Sequence, residues 1–378
     1  MKICVVSDPY YPYPSGVSEY TYYLAKYLRR FGHSVKIVTT HFPNDRPEAD
    51  LVRFGRVLMI PLNKSYATMS FGLEIPIKMR DFIRNERFDI IHLNGPFPPS
   101  LSFFGLHYSN TVNVAALLSA GFKFSKTGSG IVKKIFRKYN EKIHAVIALS
   151  PTAQRSYSAY IPGDYHIIPP GVDHEIFHNN IPLRPRLPDG SPKILFLGRM
   201  DRRKGAPNLI QAFPEVRKEF PDARLIIVGM GPDSEQCRTL AYRLGIAAAV
   251  HFAGFIPKAE IPGYYAACDI YCSPAHGGES FGIVLLEAMA VGTPVCCSRI
   301  PGYEDVVQDG YNGLLFDPRE PHDIAQTMIR ALRNRELLAA LGRNGLAFAK
   351  GFTWENIARR IEAVYMEAIN KTNIKLRS

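Results

Sequence analysis

The sequence between residues 270 and 297 reads IYCSPAHGGESFGIVLLEAMAVGTPVCC. Residues 270–273 form a short apolar run, which predicts a buried strand. A glycine-rich loop follows and opens into an apolar stretch that predicts a helix, and residues 294–297 predict the next strand. Strand, loop, helix and strand make a βαβ unit, whose two strands lie parallel in one sheet. The segment therefore predicts an α/β fold built on a parallel sheet.

Two glutamates, Glu279 and Glu287, lie eight residues apart in this segment. This spacing is a little over two helical turns, so we expect both side chains to point roughly the same way from the start and the body of one helix. The N–H groups and the positive dipole end at the start of that helix predict an anion site. Carboxylates beside a phosphate site suit a ligand whose hydroxyl groups adjoin its phosphates, such as a nucleotide sugar. The alternative is an ordinary surface helix that carries two glutamates.

Strand and helix patterns alternate on both sides of this segment. Four prolines interrupt the alternation within residues 174–192, a stretch that we interpret as an interdomain linker. We expect an N-terminal domain at 1–173 and a C-terminal domain at 193–352, both Rossmann-like α/β domains that face each other across a cleft. A final helix within residues 353–378 is expected to pack back on the first domain. The other strand patterns lie at 2–6, 35–39, 88–93, 112–118, 145–150, 194–198, 224–229 and 250–253, and the helix patterns at 17–31, 76–87, 205–219, 233–244, 257–267, 320–333 and 335–350.

Length and composition indicate a protein of two domains. The 378 residues exceed the usual size of one domain, and 46% of them are hydrophobic, which suffices for buried cores. The six cysteines lie in apolar runs without a paired CxxC motif, so we expect reduced, buried thiols and neither a disulfide framework nor a zinc site. The chain begins in a strand pattern, without the apolar region of a signal peptide, and no apolar run approaches the roughly 20 residues of a membrane span. We therefore expect a cytoplasmic protein that is soluble or peripherally attached to a membrane.

The net charge of +12 is concentrated in the first half of the chain. Residues 1–173 contain 21 lysines and arginines against 12 aspartates and glutamates, an excess of nine positive charges. Such an excess suits nucleic acid, an anionic membrane or an anionic substrate. Because no familiar nucleic-acid-binding motif is present, we expect no nucleic acid partner.

A helix pattern at residues 131–143 has two contrasting faces, one apolar and one basic. Between residues 123 and 142 the chain carries seven cations and one anion. The basic face is either merely solvated or a docking surface for an anionic membrane or lipid head group. Its cations are Lys133, Lys134, Arg137 and Lys138.

A basic turn follows the strand pattern at residues 194–198. It places Arg199 and Lys204 at the carboxyl end of the predicted sheet, where open α/β sheets bind ligands. An arginine fork and a lysine point charge together suit a diphosphate. The alternative is a solvated basic turn, which is the interpretation that we favour for Arg202 and Arg203.

The loop after the first strand pattern contains Gly16. A glycine there would allow the backbone to approach a phosphate or a sugar closely. The alternative is an ordinary tight turn.

Together these features resemble the family 4 retaining glycosyltransferases of GT-B fold. The resemblance covers essentially the whole chain and rests on the segment with the two glutamates, the basic turn, the strand and turn that end at residues 170–173, and the double βα layout. Two stretches, HGGESFGIV at 276–284 and PFPPSLS at 96–102, are most similar to the phosphatidylinositol mannosyltransferases.

The resemblance implies a nucleotide-sugar donor, bound mainly by the C-terminal domain, and a lipid-linked or membrane-associated acceptor, such as phosphatidylinositol, bound by the N-terminal one. GDP-mannose is the favoured donor and a UDP-sugar the alternative. Glu287 would hold the ribose and Glu279 the sugar hydroxyls. No cofactor and no metal are expected, because cations and a helix end neutralise the leaving group. The diphosphate would be held by Arg199 and Lys204, and the other predicted donor contacts are Gly16, Ser280, Phe281, Gly282 and, in the loop that reads the base, Ile256.

Three positions depart from the usual pattern of this family. Leu118 stands where the family has a histidine at the donor sugar, Ser15 replaces the first glycine of a Gly-Gly pair, and Lys258 replaces an acid in the loop that reads the base. Leucine cannot hydrogen-bond a hydroxyl group. A non-catalytic nucleotide-sugar binder therefore remains an alternative, as does a GT-B sugar-nucleotide epimerase, and the sequence leaves the sugar, the base and the acceptor open.

Overall fold

A computed structural model describes residues 1–13, 15–45, 47–62, 65–119, 137–182 and 185–377. The chain forms two compact units. The first contains Met1–Gly171 together with Trp354–Ser378, and the second contains Val172–Thr353. Each unit is an α/β structure with its own sheet.

The first unit is built on a sheet with the strand order β4-β3-β2-β1-β5-β6-β7-β8. Neighbouring strands are parallel, apart from β3 and β4, which form an antiparallel pair at one edge. In chain order its elements are β1 (Lys2–Val6), α1 (Gly16–Arg30), β2 (Ser34–His41), β3 (Leu51–Leu62), β4 (Ser65–Phe71), α2 (Ile75–Glu86), β5 (Ile90–Asn94), α3 (Leu101–Tyr108), β6 (Val112–Leu117), β7 (Ala145–Ala148), α4 (Pro151–Tyr157) and β8 (Tyr165–Ile167).

The second unit has a fully parallel sheet with the strand order β11-β10-β9-β12-β13-β14. In chain order its elements are β9 (Lys193–Leu197), α5 (Ala206–Glu219), β10 (Arg224–Val228), α6 (Ser234–Arg243), β11 (Val250–Gly254), α7 (Ile261–Ala266), β12 (Ile270–Ser273), α8 (Ile283–Val291), β13 (Val295–Ser298), β14 (Leu314–Phe316), α9 (Pro321–Arg333) and α10 (Arg335–Ala349).

The core of the second unit has two layers because its strands are buried on both faces. Along β9, Ile194 and Phe196 belong to the layer that contains α5 and α9, whereas Leu195 belongs to the layer that contains α8. Successive side chains of a strand point to opposite faces, so a continuous apolar run fills both layers. This burial explains why the strands of the second unit read as unbroken apolar segments.

The final helix, α11 (Trp354–Arg377), belongs to the first unit. Its buried side chains recur every three or four residues and pack against α1. Trp354 stacks on Tyr23 with ring centroids 5.4 Å apart, and the hydroxyl group of Tyr365 lies 2.8 Å from His92 Nδ1. The buried side chains of α11 are Trp354, Ile357, Ala358, Ile361, Val364, Tyr365 and Ala368.

Several details differ from the sequence predictions. The predicted linker at 174–192 lies within the second unit, because apolar side chains of this stretch, such as Phe177 and Leu187, pack into that unit's core. The antiparallel pair of β3 and β4 was not predicted, and neither was α3. Helix bounds shift by one or two residues at most places.

The cysteines are free and buried, as predicted. They are Cys4, Cys237, Cys268, Cys272, Cys296 and Cys297. Within the described part of the chain, no helix is both long and apolar enough to cross a membrane.

Candidate functional site

The loop from residue 198 to residue 205 leaves the carboxyl end of β9, near the middle of the second sheet. It runs beside the loop that follows β10, because Gly198 N donates to Val228 O and Met200 N donates to Met230 O, both at 3.0 Å. Arg199 and Lys204 therefore lie where the sequence predicted them, at the carboxyl end of the sheet. Their predicted contacts with a diphosphate stay a prediction.

Asp201 fixes the shape of this loop, and sequence analysis did not single it out. The residue is 4% exposed, and its Oδ1 accepts hydrogen bonds from the backbone nitrogens of Arg203 and Lys204 at 3.1 and 3.2 Å. Oδ2 lies 3.8 Å from Arg199 Nε. A short acidic side chain that bonds the backbone two residues on is a typical turn device. Here the turn sets the direction in which the side chains of Arg203 and Lys204 project from the loop.

Glu279 lies in the loop after β12 and not in the helix. The helix α8 begins at Ile283, and its N-cap residue, Gly282, has a φ of +89°. A Cβ atom at position 282 would lie 2.8 Å from the ring of Tyr303, so glycine is required there both for space and for conformation. The prediction that Glu279 and Glu287 project from one helix is therefore wrong, because the left-handed glycine starts the helix four residues after Glu279.

Both cations of the neighbouring loop pair with one carboxylate oxygen of Glu279. Lys204 Nζ lies 2.7 Å from Glu279 Oε1, and Arg203 Nη1 bonds the same atom. The exposed fractions of these side chains are 12% for Glu279, 17% for Lys204 and 23% for Arg203. The interpretation of Arg203 as a solvated cation is wrong, since its guanidinium lies over the glycine loop and contacts the acid.

This charge cluster determines the ionisation of Glu279. Burial by itself raises the pKa of the carboxyl group, but Lys204 and Arg203 act in the opposite direction and hold the pKa below its ordinary value. Glu279 is therefore a carboxylate at neutral pH. It can accept hydrogen bonds but cannot donate them.

The residues that link Glu279 to α8 differ in what they can offer a ligand. Phe281 is 4% exposed and belongs to the core, so its ring is not available to a ligand. Gly282 carries no side chain that could cap the helix, and the first N–H groups of a helix have no intrahelical acceptor. Ser280 and these backbone groups remain candidates for an anion, as predicted from the sequence.

Glu287 lies in the middle of α8, one turn from its start. It is 8% exposed, and the hydroxyl group of Tyr265 donates to its Oε2 at 3.4 Å. The same hydroxyl lies 3.1 Å from Val284 O. Burial and the nearby Glu287 carboxylate raise the pKa of Tyr265, so the phenol stays protonated and remains a hydrogen-bond donor.

The loop after β11 contains Ile256 and Lys258. Ile256 packs against the core layer of α8, and Lys258 begins a 3-10 turn at Lys258–Glu260. Lys258 Nζ lies 5.9 Å from the centre of the Phe177 ring, within the range of a cation–π interaction. Phe255, which precedes Ile256 in the same loop, is 67% exposed. The predicted contact of Ile256 with the base of the nucleotide stays a prediction.

Two further predicted positions belong to the first unit. Gly16 is exposed and is the first residue of α1, whose N-cap Ser15 accepts a hydrogen bond from Ser18 N at 3.1 Å. Leu118 follows β6 and packs partly buried against the core. Gly16 as a donor contact remains a prediction.

Residues 131–136 of the predicted basic helix at 131–143, among them Lys133 and Lys134, lie outside the described residues. Arg137 and Lys138 are described and exposed. In the part of the chain that the structure covers, no three His, Cys, Asp or Glu side chains are grouped to hold a metal ion.

Comparisons with known proteins agree on one family. Residues 179–365 match the family described as "Glycosyl transferases group 1", and residues 14–176 match "Glycosyltransferase Family 4". A phosphatidyl-myo-inositol mannosyltransferase of Mycobacterium tuberculosis is 35% identical over 97% of this chain and 96% of its own length. An alpha-monoglucosyldiacylglycerol synthase of Acholeplasma laidlawii is 25% identical over 100% of this chain and 99% of its own.

A solved structure supports the same fold. The sucrose-phosphate synthase from Thermosynechococcus elongatus has a TM-score of 0.78 over 98% of this chain and 99% of its own, at 23% sequence identity. These comparisons lend no support to a non-catalytic binder or to a sugar-nucleotide epimerase.

Proposed function

Since this chain belongs to the group 1, family 4 glycosyltransferases of GT-B fold and is an enzyme of that kind, we propose that it transfers a hexose from a nucleotide sugar to a membrane lipid. The favoured pair is GDP-mannose and phosphatidylinositol, with a UDP-sugar as the alternative donor. The observation that carries this proposal is the likeness to a phosphatidyl-myo-inositol mannosyltransferase, which extends over 97% of the chain at 35% identity.

The charge cluster of the second unit suits the donor. Arg199 is 40% exposed at its side chain and Lys204 is 17% exposed, so both can exchange their present acidic neighbours for phosphate oxygens. Glu279, ionised and acceptor-only, suits the hydroxyl groups of the donor sugar. Glu287 suits the two hydroxyl groups of the ribose.

We infer a same-face displacement at the anomeric carbon. The bond between that carbon and the diphosphate oxygen breaks as the acceptor oxygen forms its new bond, and the acceptor proton passes to the departing phosphate oxygen. Arg199 and Lys204 stabilise the charge that develops on this leaving group. The proposal needs no metal and no protein base, because the leaving group itself accepts the proton.

A surface of the first unit suits a lipid acceptor. Phe71, Leu73 and Ile77 are 67%, 91% and 58% exposed within seven residues of chain, and a monomer rarely leaves such a group uncovered. Leu58 of β3 is also 49% exposed. Exposed cations lie on α2 beside this apolar group, and apolar side chains with basic neighbours are typical of attachment to anionic lipid. These cations are Lys78, Arg80 and Arg84.

The direct test is transfer from labelled donor to lipid in vesicles. Purified protein is incubated with GDP-mannose or UDP-glucose and with vesicles that contain phosphatidylinositol or diacylglycerol, and the label in the extracted lipid is measured. We expect label in phosphatidylinositol from GDP-mannose. Label in neither lipid from either donor, with protein that still binds nucleoside diphosphate, would contradict the proposed lipid acceptor.

The lipid surface has its own test. The change of Leu73 and Ile77 to Ser, together with Arg80→Glu, should release the protein from anionic vesicles in sedimentation at low salt. The matched control changes Lys218, an exposed cation of the second unit, to Glu, which alters the net charge by the same amount as Arg80→Glu, and it should leave vesicle binding intact. Equal loss in both variants would mean that overall charge alone, and not this surface, governs attachment.

A further inference from the structure

Arg203 connects the two loops that surround the charge cluster. Its backbone oxygen accepts a hydrogen bond from His276 N at 2.8 Å. Its guanidinium donates from Nη1 to Gly278 O at 3.4 Å and also bonds Glu279 Oε1. Arg203 is thus anchored at three points on the loop that carries Glu279, whereas among the described residues the next cation, Lys204, bonds that loop through its ion pair with Glu279 alone.

The two cations compete for one atom. Lys204 Nζ and Arg203 Nη1 both bond Oε1 of Glu279, and no bond to Oε2 is present among the described residues. If Lys204 turns to a donor phosphate, as the proposed function requires, Glu279 loses one of its cations. A largely buried carboxylate without a partner is unfavourable and would change its position or take up a proton.

We propose that Arg203 is a positioning residue for the donor sugar: it keeps Oε1 of Glu279 occupied while Lys204 serves the diphosphate, which leaves Oε2 to accept from a sugar hydroxyl. This inference rests on the proposed function, because it takes the sugar to be the ligand of Glu279. It assigns different tasks to adjacent cations, with Lys204 at the phosphate and Arg203 at the acid.

The chemistry of arginine fits this task. A planar guanidinium carries several donors in a fixed fork, so it can bond the Gly278 carbonyl and the Glu279 carboxylate at once. A lysine ammonium is a point charge that follows one strong acceptor. Arg203→Lys should therefore keep part of the attraction to Glu279 and lose the fixed geometry.

The test compares ligands with and without the sugar. Binding of GDP and GDP-mannose, and of UDP and UDP-glucose, is measured calorimetrically on the full chain for the wild type, Arg203→Ala, Arg203→Lys and Glu279→Gln. We expect Arg203→Ala to bind the free diphosphates within about threefold of wild type and the nucleotide sugar about tenfold more weakly. The affinity of Arg203→Lys for the nucleotide sugar should lie between that of the wild type and that of Arg203→Ala.

The neighbouring Arg202 supplies the matched control, since its side chain is exposed. Arg202→Ala should leave the affinities for the free diphosphate and for the nucleotide sugar unchanged. The double variant Arg203→Ala with Glu279→Gln should bind nucleotide sugar no more weakly than Glu279→Gln alone, because the arginine acts through the acid. In a transfer assay, the acid limb of the rate profile should move to higher pH in Arg203→Ala, since Glu279 then lacks one of the cations that lower its pKa.

Equal losses for the free diphosphate and for the nucleotide sugar in Arg203→Ala would overturn the assignment, and so would additive losses in the double variant. Failure of the proposed function looks different, because the wild type itself would then bind no nucleotide sugar, and the inference would fall with it. If Arg203→Ala melts too early to measure, Arg203→Lys gives the same comparison with the charge kept.

Discussion

Two carboxylates that are buried or largely buried follow strand ends in the two units, and their surroundings give them opposite character. Asp8 follows β1 in the first unit, and Glu279 follows β12 in the second. Burial raises the pKa of Asp8 to about 6 from an ordinary value of 3.8, although hydrogen bonds from Ser70 and Leu101 oppose the rise. The pKa of Glu279 is lowered, because its two cations outweigh burial.

The difference shows what each carboxylate is built for. Asp8 is 5% exposed, and its Oδ1 accepts from Ser70 N at 3.0 Å, Ser70 Oγ at 2.7 Å and Leu101 N at 3.2 Å. It thereby ties the edge strand β4 and the start of α3 to the end of β1. Glu279 keeps one oxygen without such a bond among the described residues. The bonds that Asp8 accepts among the described residues also reach a single oxygen, Oδ1, but their donors are neutral groups of the fold, whereas the donors at Glu279 are two cations.

The largest expected effect is the loss of the hydrogen bonds at Asp8. Asp8→Ala leaves three buried donors of Ser70 and Leu101 without an acceptor, and we expect a loss of about 3 kcal/mol in the free energy of unfolding. Trp354 is the only tryptophan and lies in the first unit, so its fluorescence in a denaturant titration reports on that unit.

Asp8→Asn is the control for this prediction, because its amide oxygen can still accept from the same donors. It should retain most of the stability that Asp8→Ala loses. If Asp8→Ala unfolds at the denaturant concentration of the wild type, the structural role of Asp8 is wrong.

The next effect concerns the cations of Glu279. If Lys204 binds the diphosphate, Lys204→Ala removes a charge-assisted contact of about 2 kcal/mol and should weaken nucleoside-diphosphate binding tenfold or more. Arg202→Ala, in the same loop, should bind normally. Unchanged affinity for both GDP and UDP in Lys204→Ala would remove Lys204 from the diphosphate site.

A smaller effect separates the two glutamates. Glu287→Gln should weaken free nucleotide and nucleotide sugar alike, by about tenfold or 1.4 kcal/mol, because it acts on the ribose. Glu279→Gln should spare the free nucleotide and impair transfer. Calorimetric titration with the free nucleotide decides between them, and identical behaviour of the two variants there would refute the division of roles.

The sequence predicted the strands better than the start of the helix that follows Glu279, for a physical reason. Runs such as Lys193–Leu197 and Arg224–Val228 are apolar on both faces, so their position follows from local composition. The start of α8 depends instead on one backbone angle at Gly282. Gly277, Gly278 and Gly282 together indicate that the loop continues to residue 282, and this signal is present in the sequence.

The partners of Glu279 could not be found in the same way. Arg202, Arg203 and Lys204 are consecutive cations, and nothing in their local sequence says which of them point at the acid. The turn held by Asp201 decides it, and a glutamate 75 residues farther along the chain supplies the contact with Lys204. Contacts of this kind depend on the tertiary fold and lie beyond periodicity or motif spacing.

The smallest expected effect tests the charge of Asp8 itself. Its pKa is higher in the folded protein than its ordinary value, so the folded state binds a proton more tightly between about pH 4 and pH 6. Stability from this group is fully present below pH 3.8 and is lost as the pH rises through about 6. His92 acts in the opposite direction, because burial lowers its pKa to about 3, and its contribution is lost as the pH falls below 6.5.

A comparison of the wild type with Asp8→Asn isolates the aspartate, since His92 is present in both and its contribution cancels in the difference. When the folded state binds one proton more than the unfolded state, the free energy of unfolding changes by about 1.4 kcal/mol per pH unit. Between pH 4.5 and 5.5 we therefore expect the wild type to lose about 1 kcal/mol relative to Asp8→Asn, measured by denaturant titration of Trp354 fluorescence. In the corresponding comparison of wild type with Glu279→Gln, the wild type should lose stability as the pH falls and only below the ordinary pKa of a glutamate. The pKa of Glu279 is lowered in the fold, so the stabilisation from its ionised form disappears in acid. Parallel pH profiles for wild type and Asp8→Asn would mean that the fold does not raise the pKa of Asp8, and the contrast between the two carboxylates would be lost.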